Sequence, residues 1–108
     1  MSAFPLKALY DFTADTAVPL HAGVTTSSRK FKKAVERNRV KRILREAYRL
    51  QKLPLQHTLI EQELFMVLFF IYTGKELPVF ADVYEKMGII LQKLQDNILK
   101  SKAIETGF

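Results

Sequence analysis

Residues 34–53 read AVERNRVKRILREAYRLQKL, and this stretch determines how the flanking segments must be arranged. It contains no glycine or proline, most of its residues favour helix, and Pro54 follows it, so the pattern predicts an α-helix over residues 34–53. At about 100° per residue, apolar and cationic side chains fall on opposite arcs of this helix. The apolar arc contains Val40, Ile43, Leu44, Ala47, Tyr48 and Leu50, and the cationic arc contains Asn38, Lys41, Arg42, Arg45, Arg49 and Lys52. The helix is therefore expected to pack one arc on a core and to expose the other.

Three segments around this helix have the patterns of β-strands. Residues 4–12 are rich in aromatic and aliphatic side chains, and residues 18–27 are β-branched and interrupted by Gly23. A polar turn at residues 13–16 separates them, so the two strands are expected to pair as antiparallel neighbours. Residues 64–72 form a continuous apolar run, which is typical of a central strand buried on both faces.

A second amphipathic helix is predicted after Pro78, and residues 55–63 are interpreted as a polar connection. The predicted order is strand, strand, helix, strand, helix, which indicates an α/β (α+β) fold, a two-layer sandwich with two helices on a small mixed β-sheet. Because the length supports one core, residues 1–108 are expected to form a single domain. The apolar positions of the second helix, which extends to about Lys102, are Val83, Met87, Ile90, Leu91, Leu94 and Ile98.

The composition excludes several classes of function. Without cysteine there is no disulfide, no thiolate nucleophile and no cysteine-ligated zinc, and His21 and His57 are far apart in the sequence, so we predict no metal site. The longest apolar run, residues 64–72, is much shorter than the roughly 20 residues that span a membrane. The amino terminus has no secretory-signal pattern, and we expect a cytoplasmic protein.

The positive charge is concentrated in one segment. Residues 29–52 hold 11 of the 17 basic residues but only two acids, Glu36 and Glu46, so this segment has a net charge of +9. The rest of the chain has a net charge of −3, and the two together give the total of +6. Clustered cations create a directed field, so the pattern indicates a polyanion as partner, with nucleic acid first and an anionic membrane surface second.

Arginine is the main candidate for contact with phosphate, because its planar guanidinium donates several hydrogen bonds at once. Asn38 is expected either to contact a base edge or 2′-hydroxyl, or to cap the helix. Phe31 and Tyr10, which lie in or beside polar sequence, are candidates for stacking on bases. The first-choice contacts are Arg37, Arg39, Lys41, Arg42 and Arg45, and Arg29, Lys30, Lys32, Lys33 and Arg49 extend the same surface.

Within residues 28–49, Arg37-Asn38-Arg39 is followed by Lys41-Arg42 and Arg45-Glu46. This pattern closely resembles the signature of the protein subunit of bacterial ribonuclease P, and the order of elements fits that family over nearly the whole chain. The resemblance implies an α/β sandwich with an unusual left-handed strand-helix-strand crossover, although chain geometry alone favours the right hand.

The resemblance also implies a division of labour. The large RNA subunit of such an enzyme hydrolyses precursor tRNA at the 5′ end of the mature sequence with Mg²⁺, and the protein assists. The protein is then expected to have no catalytic residue, to leave Mg²⁺ mainly to the RNA, and to bind both the catalytic RNA and the 5′ leader of precursor tRNA.

Two departures from the family pattern stand out. Members usually begin with a helix that forms one wall of the leader groove, whereas this chain starts almost directly at the first strand, so that helix is expected to be missing. Lys32-Lys33 stand where many members have a glycine-containing loop.

Three other functions are compatible with parts of the sequence. A ribosomal-type or DNA-binding protein would place the basic helix in a groove of structured RNA or DNA. An amphipathic helix on an anionic membrane would need the apolar arc that the core also needs. A protein nuclease would use His21 and His57 as acid and base, but neither has an evident carboxylate partner. The resemblance favours RNA over DNA and over a membrane.

Overall fold

The computed structural model describes residues 1–13, 18–27 and 29–106, with side chains up to residue 100. The turn predicted at residues 13–16 lies largely outside this part of the chain. The elements are β1 (Ser2–Ala3), β2 (Leu6–Phe12), β3 (Leu20–Thr26), α1 (Ala34–Gln51), α2 (Leu53–Glu61), β4 (Met66–Tyr72) and α3 (Phe80–Thr106). Helices on a mixed sheet form the α/β sandwich that the sequence predicts, with one more helix than expected among the described residues.

β4 is the central strand of the sheet, whose order is β1-β2-β4-β3. β2 pairs with it antiparallel, from Leu6 opposite Tyr72 to Phe12 opposite Met66, and β3 pairs with it in parallel on the other side. The prediction that the first two long strands pair with each other is therefore wrong. β4 is the most apolar strand, and flanking it on both sides removes more apolar surface from water than a hairpin of the two more polar strands would.

The connection from β3 to β4 passes through α1 and α2 and joins parallel neighbours. This confirms the predicted crossover, which parallel strands require because a tight turn cannot join them. The left hand that the family resemblance implies stays a prediction.

α1 ends at Gln51, two residues before its predicted end, and α2 begins at Leu53. Pro54 lies in the first turn of α2, where its missing N–H interrupts no intrahelical hydrogen bond. Leu55 and Leu59 of α2 are fully buried. The prediction of a connection over residues 55–63 is therefore wrong. Pro54 follows the end of α1, but a proline also fits the first turn of the next helix, and the sequence pattern does not distinguish the two cases.

The helices cover only one face of the sheet. Tyr72 and its alternate neighbours along β4 are buried, whereas Val67 and Phe69 between them are 44% and 39% exposed. The prediction that β4 is buried on both faces is wrong, because its second apolar face has no described element above it. The helical part of the core consists of Val40, Leu44 and Ala47 from α1, Leu55 and Leu59 from α2, and Val83, Met87, Ile90, Leu91, Leu94 and Ile98 from α3.

Tyr48 connects α1 to the sheet. Its ring centroid lies 5.8 Å from that of Phe70 on β4. Burial of the phenol raises the pKa of Tyr48 from 10.0 to about 12, because the charged phenolate is poorly solvated beside the core. The folded protein therefore favours the neutral side chain.

Tyr48→Phe tests this contact through the pH dependence of stability. A raised folded-state pKa contributes stability that is present below the unfolded pKa near 10 and is lost as the pH rises towards about 12. Between pH 9 and pH 11.5, the wild-type protein should therefore lose more free energy of unfolding, measured with urea, than Tyr48→Phe does. Tyr84→Phe, at a position that is 40% exposed, is the matched control. Equal losses in the wild type and Tyr48→Phe would contradict the assignment.

Candidate nucleic-acid interface

The cationic side chains of α1 lie on its outer face because the apolar side chains of its inner face pack in the core. Val40, Leu44 and Ala47 are buried at a spacing of one helical turn, so Arg42 and Arg45, which lie between them in sequence, point away from the sheet. The cationic arc is confirmed as the exposed side for Asn38, Arg42, Arg45 and Arg49, while Lys41 and Lys52 are half-buried at its flanks. Leu50, expected in the core, is instead exposed.

Three arginines on this face are unpaired in the part of the chain that the structure describes. Within the described residues, no hydrogen bond or ion pair engages the guanidinium groups of Arg39, Arg42 and Arg45. Together with Asn38 and Val35 they surround a shallow concavity of about 400 Å³. The donors of these side chains are therefore free for an anionic ligand.

Arg49 differs from the other arginines because it pairs with Glu46. Its Nε donates to Oε2 of Glu46 at 3.1 Å, and its Nη2 donates to Oε1. This hydrogen bond from Arg49 lowers the pKa of Glu46, and the same bond raises the pKa of Arg49. Both side chains are largely exposed, so water and salt weaken the pair and a phosphate can compete for the arginine.

Residues 29–33 form a loop that is fixed to the rest of the protein before α1 begins. The ammonium of Lys30 donates to the carbonyl of Thr73 at the end of β4. Phe31 is 3% exposed, and its ring centroid lies 6.0 Å from that of Tyr72. The interpretation of Phe31 as a stacking residue is therefore wrong: its neighbours in sequence are polar, but its neighbour in space is the core.

The Arg37 guanidinium belongs partly to this loop. Its Nη1 donates to the carbonyls of Phe31 and Lys32, at 2.8 Å each.

Asn38 lies in the second turn of α1, which begins at Ala34, so Asn38 does not cap the helix. Contact with a base edge or 2′-hydroxyl remains its predicted role. Arg29, Lys32 and Lys33, by contrast, are exposed and carry the cationic surface ahead of the helix.

The uncovered face of the sheet is a second surface, which no residue of the sequence-based site includes. Leu9 on β2 lies opposite Phe69 on β4, and Gly23 on β3 lies on the other side of Phe69. A Cβ at Gly23 would stand 2.6 Å from the Phe69 ring, so the glycine allows this ring to lie against β3. The sequence feature that indicates this surface is the continuous apolar run of β4. A strand with one covered face needs apolar residues only at alternate positions. We call Leu9, Gly23, Val67 and Phe69 the open sheet face.

The remaining candidate residues lie apart from one another. Tyr10 is 41% exposed, but it is on the helix side of the sheet, with its ring edge-to-face to Phe12 at 6.2 Å. His21 is exposed on β3 and His57 on α2, and within the described residues neither has a carboxylate partner. No group of three or more His, Cys, Asp or Glu side chains converges there. No helix in the same residues has the length and apolar character to cross a membrane.

Comparisons with known proteins agree with this arrangement. Residues 4–95 match the family model for ribonuclease P. A protein described as the ribonuclease P protein component of Porphyromonas gingivalis strain W83 is 34% identical over 99 residues, and its counterpart from a second strain is 33% identical. Each alignment covers 91% of this chain and 72% of the relative. No solved structure matches the chain. The family match spans most of the described fold and includes the whole of α1, and the chain therefore belongs to the ribonuclease P protein family.

Proposed function

We propose that this protein is the non-catalytic subunit of a bacterial ribonuclease P, which binds the catalytic RNA through α1 and the 5′ leader of precursor tRNA through the open sheet face. The observation that carries the proposal is the row of guanidinium groups of Arg39, Arg42 and Arg45, unpaired among residues 1–13, 18–27 and 29–106, on a helix whose other face is anchored in the core. Membership of the family makes the chain a component of an endoribonuclease complex and gives it an RNA partner.

The geometry of α1 suits a phosphate backbone. Arg42 and Arg45 are three residues apart, which is about 4.5 Å along the axis, and a helix anchored by its apolar face keeps that spacing. Each guanidinium can donate two parallel hydrogen bonds to one phosphate. Asn38, on the rim of the same concavity, can donate to and accept from a 2′-hydroxyl, the group that distinguishes RNA from DNA.

The open sheet face suits a single strand rather than a duplex. Unpaired bases stack on aromatic rings and apolar side chains, and Phe69 lies at the centre of this face between Leu9 and Gly23. Lys7, exposed on the same face of β2, is in position to contact the backbone of the strand. A 5′ leader has the required form because it precedes the folded part of the tRNA.

In this proposal, the protein contributes charge and shape. The water for hydrolysis would be activated by Mg²⁺ held on the RNA subunit. Cations on α1 and on residues 29–33 neutralise phosphates that would otherwise repel one another, so fewer metal ions are needed to bring the catalytic RNA and the substrate together. The protein's side chains bind and orient the RNA molecules.

Adding the protein to the cognate catalytic RNA and labelled precursor tRNA at low Mg²⁺ should increase the rate of 5′ cleavage. At high Mg²⁺ the increase should shrink, because the metal then screens the phosphates itself. The triple variant Arg39→Ala, Arg42→Ala, Arg45→Ala is the matched control, and it should fold normally but stimulate little. If wild-type protein gives no stimulation at low Mg²⁺, or binds duplex DNA as tightly as it binds the catalytic RNA, a general nucleic-acid-binding role replaces the proposal.

The salt dependence of RNA binding tests the phosphate contacts. With about six to eight phosphates engaged, the logarithm of affinity should fall with the logarithm of salt concentration at a slope of roughly −5 to −7. Arg42→Ala should make this slope shallower by about 1, since one contact is lost. Lys93→Ala, an exposed cation on α3, is the control and should leave it unchanged. A slope that Arg42→Ala and Lys93→Ala alter equally would argue against a specific surface on α1.

Phe69→Ala tests the open sheet face. The variant should weaken the complex with precursor tRNA but not the complex with mature tRNA, because only the precursor has a leader. Gly23→Ala should act in the same direction by displacing the Phe69 ring. Ile89→Ala, which removes a partly exposed apolar side chain from α3, serves as the control. Equal effects of Phe69→Ala on both tRNA forms would show that the leader does not use this face.

A further inference from the structure

Arg37 and Arg39 belong to the same short motif but differ in their surroundings. Arg37 is half-buried, and its Nη1 uses both hydrogens on backbone carbonyls, those of Phe31 and Lys32. Arg39 is exposed, and its guanidinium has no intramolecular partner among the described residues. The two side chains are therefore equipped for different tasks.

The start of α1 lacks the usual means of fixing the chain that enters a helix. Its N-cap residue is Lys33, which makes no side-chain capping hydrogen bond, whereas Ser, Thr, Asp or Asn at this position would accept one from the first turn. The entering loop is instead closed by the Phe31 amide, which donates to the Ser27 carbonyl at 3.1 Å, and by the Arg37 guanidinium. Arg37 thus reaches back from the first turn of the helix to hold the chain before it.

The other anchors of the loop lie before Lys32 and Lys33 in the sequence. Lys30 is tied to Thr73 and Phe31 is buried beside Tyr72, but the Lys32 and Lys33 side chains are exposed with no intramolecular partner in the described residues. The Lys33 carbonyl accepts from the backbone amides of Glu36 and Arg37 at the start of α1, whereas the Lys32 carbonyl accepts from the Arg37 guanidinium. Without the guanidinium bond, the Lys32 peptide between the buried Phe31 and the start of the helix would lose its hydrogen bond.

We infer that Arg37 is a positioning residue, which fixes the loop so that Lys32 is held in place for RNA beside Lys33 at the start of the helix, while Arg39 contacts phosphate directly. The inference rests on the proposed function for the role of the lysines, but the effect of Arg37 on the loop is a property of the protein alone. From the sequence alone, the two arginines have the same predicted role. Their hydrogen bonds in the structure distinguish them.

Hydrogen exchange in the free protein tests the effect on the loop. Arg37→Met, which keeps most of the side-chain stem, should speed exchange of the Phe31 amide roughly tenfold through local opening, while Arg39→Met should leave it nearly unchanged. Arg37→Lys retains a nitrogen with enough hydrogens for both carbonyls and should keep the protection, which guards against general misfolding of the Met variant. If Arg37→Met leaves exchange at Phe31 unaltered, the inference is wrong.

A double-mutant cycle tests the effect on RNA binding. Arg37→Met should weaken binding of the catalytic RNA roughly tenfold in the wild-type background, but less than about twofold when Lys32→Gln and Lys33→Gln are also present, since coupled residues do not act additively. Arg39→Met should weaken binding by the same factor in both backgrounds. An Arg37 effect that stays the same without the lysines would identify Arg37 as a direct contact and overturn the inference. Failure of the wild-type protein to bind RNA would overturn the proposed function, whereas the exchange experiment would still decide whether Arg37 holds the loop.

Discussion

Val40, Leu44 and Ala47 pack beneath the solvent-facing side of α1, and their burial orients every charged side chain on that helix. Transfer of these side chains from water stabilises the fold and also excludes rotation of the helix about its axis, because rotation would expose the apolar residues and bury cations. Tyr48 extends the contact to Phe70 on the central strand. The cationic surface is thus fixed by apolar residues that do not touch RNA in the proposed complex.

The sheet separates the two surfaces that we assign to RNA. α1 lies in the helical layer, and Phe69 with its neighbours lies on the face that this layer leaves uncovered. The loop of residues 29–33 connects β3 to α1 and reaches the end of β4 through the Lys30 ammonium. A small protein can in this way contact a large folded RNA and a single strand at the same time without a second domain.

The sequence predicts features that depend on local periodicity. The start of α1, the six buried positions of α3 and the exposure of Arg42 and Arg45 all follow from local pattern and agree with the structure. Strand pairing is different, because the choice of β4 as the common partner of β2 and β3 depends on which surfaces become buried once the whole chain is present. Phe31 illustrates the same limit: only the fold brings Tyr72 beside it. The task of Arg37 also depends on the path of the chain before the helix, which residue type and spacing do not specify.

The central position of β4 has a consequence for how the chain acquires its structure during synthesis. β2 and β3 each pair with β4 and not with each other, so most of the sheet cannot form until residues 66–72 have emerged from the ribosome. Until then, α1 has left the ribosome without the strand that Tyr48 contacts, and its cations are adjacent to a ribosome rich in RNA. Pairing strands so distant in sequence requires closure of a long loop, which slows folding. Emergence of β4 therefore lets the sheet form and gives α1 the strand on which it packs.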